Sequence, residues 1–238
     1  MESHPYTDRY QTVWQNTLDA GELPVEQIEK SRYYFEPDST TPKEFDTYGV
    51  VALMPMPEHA QATFTDLWTD VMTALDNPAA YAVEPQNRHI ELLLFSRPEE
   101  VMEQSTIDHN IQASFTAMQS NPPQSFSVTF GRPFITPDGT VVAPGFPHPE
   151  AAIDNFRSAM CQATNGNIPT KQSQWLHVSL GRILEPLDAD RCREALQALD
   201  AHWGEPVIDL EVNELQWTHE KQWYMLKKDV LHRLVLES

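Results

Sequence analysis

Two tetrapeptides in this sequence hold the residue types best suited to acid–base chemistry. They are His89-Ile90-Glu91-Leu92 and His177-Val178-Ser179-Leu180. Both read histidine, β-branched apolar residue, polar residue, leucine. An imidazole titrates near neutral pH, so it can serve as base or as acid. Two of them flanking a small anion can divide the work. One, neutral, takes a proton from an attacking water; the other, protonated, gives one to the leaving oxygen. A hydroxyl two residues on, as in Ser179, can donate to a phosphoryl oxygen. Such a reaction calls for no metal and no cofactor.

For this to work, the two histidines must face one groove. On a strand, side chains alternate between faces, so His89 and Glu91 share one face while Ile90 and Leu92 take the other. His177 and Ser179 relate to Val178 and Leu180 in the same way. The apolar members would bury against helices and the polar members would line a groove. The similarity extends beyond the tetrapeptides. Each histidine is followed nine residues later by a proline (Pro98 and Pro186), then by acidic residues and an amphipathic segment. Two copies of one strand-stop-helix unit imply an internal pseudo-repeat. Either histidine alone could simply end a strand; the pair carries the reading.

The rest of the chain supplies the elements such a repeat needs. GVVALM (49–54) reads as a buried strand ended by Pro55 and Pro57. Phe64, Leu67, Trp68, Val71 and Leu75 then recur on one helical face. Strands are expected at 89–95, 125–131 and 176–183, and helices at 99–118, 150–163 and 188–202. Pro137-Asp138-Gly139 is a turn signal, predicting that 140–143 returns against 125–131. Three closing strands are expected at 207–217, 222–226 and 231–236. Asp188 and Asp190 read as helix caps. Residues 1–47 look polar and irregular apart from a short helix near 25–34 and the aromatic run Tyr33, Tyr34, Phe35; they are expected to wrap the domain or form a lid. The sequence thus predicts an N-terminal extension (1–47) and one two-lobed domain (48–238). The expected fold class is α+β, with pseudo-symmetric antiparallel sheets facing each other across a cleft and helices outside.

Composition narrows the partners. Sixteen basic against 35 acidic residues give a net charge of −19, a field that disfavours non-specific binding to duplex DNA but allows a small nucleotide or one RNA terminus in a local site. No apolar run reaches membrane-span length, and MESHPYTDRY has no signal-peptide pattern. A cytoplasmic monomer without membrane association is expected. Cys161 and Cys192 are not spaced as metal ligands and read as small buried apolar residues. His-x-Glu also opens the zinc deaminase signature, but the required Pro-Cys-x-x-Cys is missing. The sequence has no His-Glu-x-x-His, P-loop or Gly-x-Ser-x-Gly motif. The remaining histidines lack partners at ligand spacing. Trp217, Trp223 and Tyr224 could stack on a nucleobase or belong to the core.

The paired histidine motifs, 177 − 89 = 88 residues apart, resemble the 2H phosphoesterase superfamily, which includes RNA 2′,3′-cyclic phosphodiesterases and 2′-5′ RNA ligase-like proteins. The resemblance runs from about Gly49 to the C-terminus and includes VVALMPMP and SFSVTFGRPFITPDGTVVAPG. It implies metal-independent opening of a cyclic phosphodiester, with His89 and His177 as acid and base. Some relatives carry an arginine five residues after the second histidine, where this chain has Arg182. Simple alternation turns Arg182 away from His177, but a strand end can redirect a long side chain, and Arg182 is kept with Ser179 and Glu91 as a candidate for contacting the phosphate. The departure is Glu91, which stands where the family pattern has Ser or Thr. An ionised carboxylate about 4 Å from a phosphate oxygen costs about 4 kcal/mol at an effective dielectric near 20. Glu91 is therefore either protonated and a donor, a partner that raises a histidine's pKa or meets a donor on an unusual substrate, or the mark of a site that binds without turnover.

Overall fold

The computed structural model describes residues 6–37, 39–98, 102–168 and 175–238. In chain order, the elements are helices α1 (Thr7–Ala20) and α2 (Val25–Arg32), strand β1 (Thr47–Ala52), helix α3 (Glu58–Ala74), strands β2 (Ala80–Ala82) and β3 (Ile90–Leu94), and helix α4 (Gln104–Ser120). Then come β4 (Phe126–Gly131), β5 (Phe134–Ile135), β6 (Thr140–His148), α5 (Ala152–Ala163), β7 (Leu176–Ile183), α6 (Ala189–Asp200), β8 (Pro206–Val212), β9 (Glu214–Gln222) and β10 (Lys227–Val235). The fold is α+β, as expected. All named strand pairs are antiparallel, and the main path of the sheet runs β10-β9-β1-β3-β7-β6-β4-β8.

The two expected sheets are joined edge to edge. β3 and β7 share one residue pair, Ile90 with Val178. On either side of that pair lie four strands: β3, β1, β9 and β10 in one lobe, and β7, β6, β4 and β8 in the other. The repeated unit is β1-α3-β3-α4, matched by β6-α5-β7-α6. Its helices cross between the lobes: α3 lies against β7 and α6, while α5 touches β3. A side chain on Gly181 of β7 would put its Cβ 2.4 Å from the Trp68 ring of α3, so this crossing depends on glycine.

The hydrophobic pattern explains most elements. In α3, Phe64, Leu67 and Val71 are buried at helical spacing. In β7, buried Leu176, Val178 and Leu180 alternate with half-buried His177 and Ser179. The carboxylate of Asp188 caps α6 by accepting from the Arg191 amide at 3.0 Å.

Several expected elements differ. α1 lies in a stretch expected to be irregular, because its inward stripe, Tyr10, Trp14 and Thr17, is aromatic and polar rather than aliphatic. It nevertheless packs into the main core. The segment 207–217 is two strands broken at Asn213, one in each lobe. Residues 223–225 form a tight turn, with Tyr224 and Met225 at φ 62° and 57°. The Pro137-Asp138-Gly139 turn joins β6 to the short β5, and β4 meets the far half of β6 instead (Phe130 with Gly145). The fourth helix starts at Gln104; residues 99–101 of its expected span, like 1–5 at the N-terminus, lie outside the described residues. Cys161 is exposed; Cys192 is buried as expected.

Candidate active site

The single pair between β3 and β7 fixes the site. Antiparallel register through Ile90 and Val178 sets His89 opposite Ser179 and Glu91 opposite His177 (90 + 178 = 89 + 179 = 91 + 177). All four residues are half-buried, between buried neighbours that are apolar except for Arg88 before His89. They line one cavity of about 320 Å³, with Arg182 in the same wall. Every site residue expected from the sequence therefore meets at one place.

Each histidine strand carries a β-bulge at the same point. Between β1 and β3 the register jumps so that Leu92 has no partner; between β6 and β7, Leu180 is left out. Both leucines stand three residues after their histidine. A bulge adds one residue and reverses the alternation beyond it. This brings Arg182 back to the face of His177 and Ser179, where simple alternation would not have put it. Arg182 is 7% exposed. Its guanidinium lies 3.6 Å from the Asp138 carboxylate and over the Tyr34 ring at 5.2 Å. The equivalent position in the first lobe, five residues after His89, is Leu94.

The two imidazoles are held differently. His89 Nδ1 lies 2.8 Å from the Asn87 carbonyl oxygen, which only accepts, so Nδ1 carries the proton and Nε2 is left for chemistry. Asn87 is itself tethered by Lys228, whose Nζ donates to Asn87 Oδ1 at 2.6 Å. The preceding Arg88 is anchored to α3, donating to the Gln61 carbonyl at 3.1 Å and Thr65 Oγ1 at 2.9 Å. His177 instead has the Trp175 ring at 5.2 Å. Its preceding residue is held by α1: Leu176 N donates to Tyr10 Oη at 3.1 Å, and Tyr10 Oη donates to the Gly145 carbonyl at 2.6 Å.

Burial dominates the electrostatics. It lowers His177 to about 4, helped by the neighbouring His89 and Arg157. His89 is lowered by burial and by Lys228, against the opposing effect of the Asn87 carbonyl. Burial raises Glu91, while Arg97 and Arg157 pull it back. A second carboxyl, Glu220 of β9, lines the same cavity and rises to about 7, chiefly through burial. It accepts from Thr47 Oγ1 and the Met225 amide, each at 2.8 Å.

Trp217 is fully buried, its indole donating to Ser114 Oγ at 3.0 Å, and belongs to the core. Trp223 and Tyr224 do line the cavity. Trp223 stacks on Tyr34 at 4.6 Å, so the N-terminal segment helps build this wall. Sequence reasoning missed Arg88, Asn87, Arg157, Glu220 and Lys228. The only local signal was Arg88, a charge directly before a buried strand; the others are set by tertiary contact. Among the described residues, no group of three or more His, Cys, Asp or Glu could hold a metal ion, and no helix is long and apolar enough to cross a membrane.

No protein-family model and no curated protein matches the sequence. Solved structures do match. A phosphoesterase structure is 13% identical with TM-score 0.51, covering 82% of this chain and 100% of its own. E. coli LigT complexed with phosphate is 12% identical with TM-score 0.52, over 82% and 100% of the two chains. LigT complexed with 3′-AMP is 11% identical with TM-score 0.51, over 81% and 99%. With this likeness across the whole length of those chains, the fold is that of these phosphoesterase and LigT structures.

Proposed function

We propose that the protein is a metal-independent phosphodiesterase that opens a cyclic phosphodiester on a small nucleotide or an RNA end. The observation that carries this reading is the meeting of His89 and His177, each on a bulged strand, in one cavity with Ser179 and Arg182. Water attacks phosphorus while His177 takes its proton. The bond from phosphorus to one ribose oxygen breaks, and that oxygen takes a proton from His89. The products are a phosphomonoester and a free hydroxyl. The environment supports these roles. Burial lowers His89, but the Asn87 carbonyl opposes this and favours its charged form, which suits the acid; His177 at about 4 stays neutral, which suits the base. Ser179 and Arg182 stabilise the phosphoryl oxygens. Burial shifts Glu91 toward its protonated form, which can donate where a hydroxyl is expected.

The test is turnover of 2′,3′-cyclic and 3′,5′-cyclic nucleotides and oligonucleotides in EDTA. Activity absent from both His89→Ala and His177→Ala supports the proposal; turnover that survives both removes the acid and base. A second reading, nucleotide binding without turnover, is favoured only by the two carboxyls, Glu91 and Glu220, in one cavity. Calorimetric binding with no product would select it.

A further inference from the structure

Because β3 and β7 pair at one residue, their backbones part on both sides of it, and the carbonyls there lose ladder partners. On the side of His89 and Ser179 the gap is filled by backbone: β2 pairs with Gly181 to Ile183, and the Val83 amide donates to the Leu180 carbonyl at 2.9 Å. On the side of Glu91 and His177 no strand enters among the described residues. The half-buried side chain of Arg157 on α5 does so. Arg157 Nε donates to the Leu92 carbonyl at 2.8 Å, and its Nη2 reaches the Trp175 carbonyl at 3.4 Å. Leu92 is the bulged residue of the first motif, and Trp175 lies two residues before His177. The guanidinium thus spans the two strands where the lobes separate. A planar fork with fixed donors suits this bridge better than a lysine point charge.

We propose that Arg157 is a positioning residue whose bridge from Leu92 to Trp175 sets the separation of the two half-sites across the cleft. This rests on the proposed function for its catalytic readout but not for its structural one. The ionisable groups around the guanidinium are Glu91, His177, Tyr6, Tyr10 and Asp154. Arg157→Met removes bridge and charge; Arg157→Lys keeps the charge and loses the fork. Displacing reacting groups by about 1 Å costs on the order of 100-fold in rate. Arg157→Met is therefore expected to lose about 100-fold in kcat and Arg157→Lys about tenfold, with KM within about threefold. The surface variant Asn155→Ala serves as control. Imidazole NMR titration with inorganic phosphate gives the second readout. In the wild type one phosphate shifts both histidines together, and in Arg157→Met that joint shift weakens at least about tenfold, by the same loss of geometry. The titration midpoint of His177 also moves upward in Arg157→Met, because a neighbouring positive charge is gone. Should Arg157→Met not fold, the same phosphate readout is taken on Arg157→Lys. A folded variant that keeps wild-type kcat, or, if the wild type proves inactive, wild-type phosphate coupling of both histidines, overturns the inference. A wild type with no turnover but with this variant-sensitive coupling refutes the proposed activity and leaves Arg157 in its role.

Discussion

The two histidine half-sites share a backbone and differ in what the backbone holds. Each is a strand with a bulged leucine three residues after its histidine. Around that common frame, the first half-site has a tautomer fixed by the Asn87 carbonyl, a carboxyl at Glu91 and Leu94 beyond the bulge. The second has Trp175 beside its imidazole, the hydroxyl of Ser179 and Arg182 beyond the bulge. Backbone geometry is the same in the two half-sites while side-chain chemistry differs. The comparison teaches that a pseudo-symmetric fold can still hold an unequal pair: both imidazoles are lowered by burial, and the Asn87 carbonyl opposes that lowering only at His89.

The comparison breaks most severely if either imidazole is removed. His89→Ala and His177→Ala are each expected to lower kcat by about 10²–10⁴-fold in a cyclic nucleotide assay. A smaller split separates the polar positions. Ser179→Ala should cost about 10²-fold, as a lost donor to a phosphoryl oxygen. If Glu91 acts as a protonated donor, Glu91→Gln should stay within about threefold of wild type, since the amide still donates. Glu91→Thr, by contrast, puts the first half-site on the family pattern; a large rate gain there would mark Glu91 as an impairment. The polarity itself is read from kcat/KM against pH. The base must be neutral, so the rate falls as pH drops through about 4, the value for His177. The acid must be protonated, so the rate also falls as pH rises past His89, which is lowered from 6.5. A maximum on the acid side of neutrality is expected; a plateau through pH 8 would contradict the assigned roles.

Stability sharpens the same contrast with smaller effects. His177 is lowered from 6.5 unfolded to about 4 folded, so its contribution is complete above pH 6.5 and is lost as pH falls towards 4. In that window the unfolded chain binds more protons, and the loss is roughly 3 kcal/mol. Urea melts at pH 7 and pH 4.5 should show the loss in wild type and its reduction in His177→Gln. Tyr10→Phe, which strips a hydroxyl from the backbone at Gly145 and Leu176, should cost about 1–3 kcal/mol by thermal melts at neutral pH.

Much of this was legible in the sequence because it depends on short-range pattern. Alternation in Leu176–Leu180 showed the cleft face of β7, and the expected strand 176–183 matches its bounds. The repeat of His-x-polar-Leu located both half-sites. What stayed hidden depends on contacts distant in sequence. The bulge at Leu180 is set by pairing with β6, so the orientation of Arg182 could not follow from alternation alone. Arg157 lies in an ordinary amphipathic helix, and only the crossing of α5 onto β3 gives it a task. Asn213 divides a continuous β-prone run because Leu236 N bonds its carbonyl, a closure formed only once the C-terminus docks. The stripe of α1 was present at helical spacing but written in tyrosine, tryptophan and threonine.

The duplicated unit has a consequence for how such a site can change. A pocket made by two identical half-length chains would have to present the same residue twice, so any substitution would alter both sides at once. Here both copies lie in one polypeptide, and each can drift alone. Position 91 can be a carboxyl while 179 is a hydroxyl, and position 94 can be leucine while 182 is arginine. Covalent continuity is what gives this two-sided pocket its freedom to become one-directional.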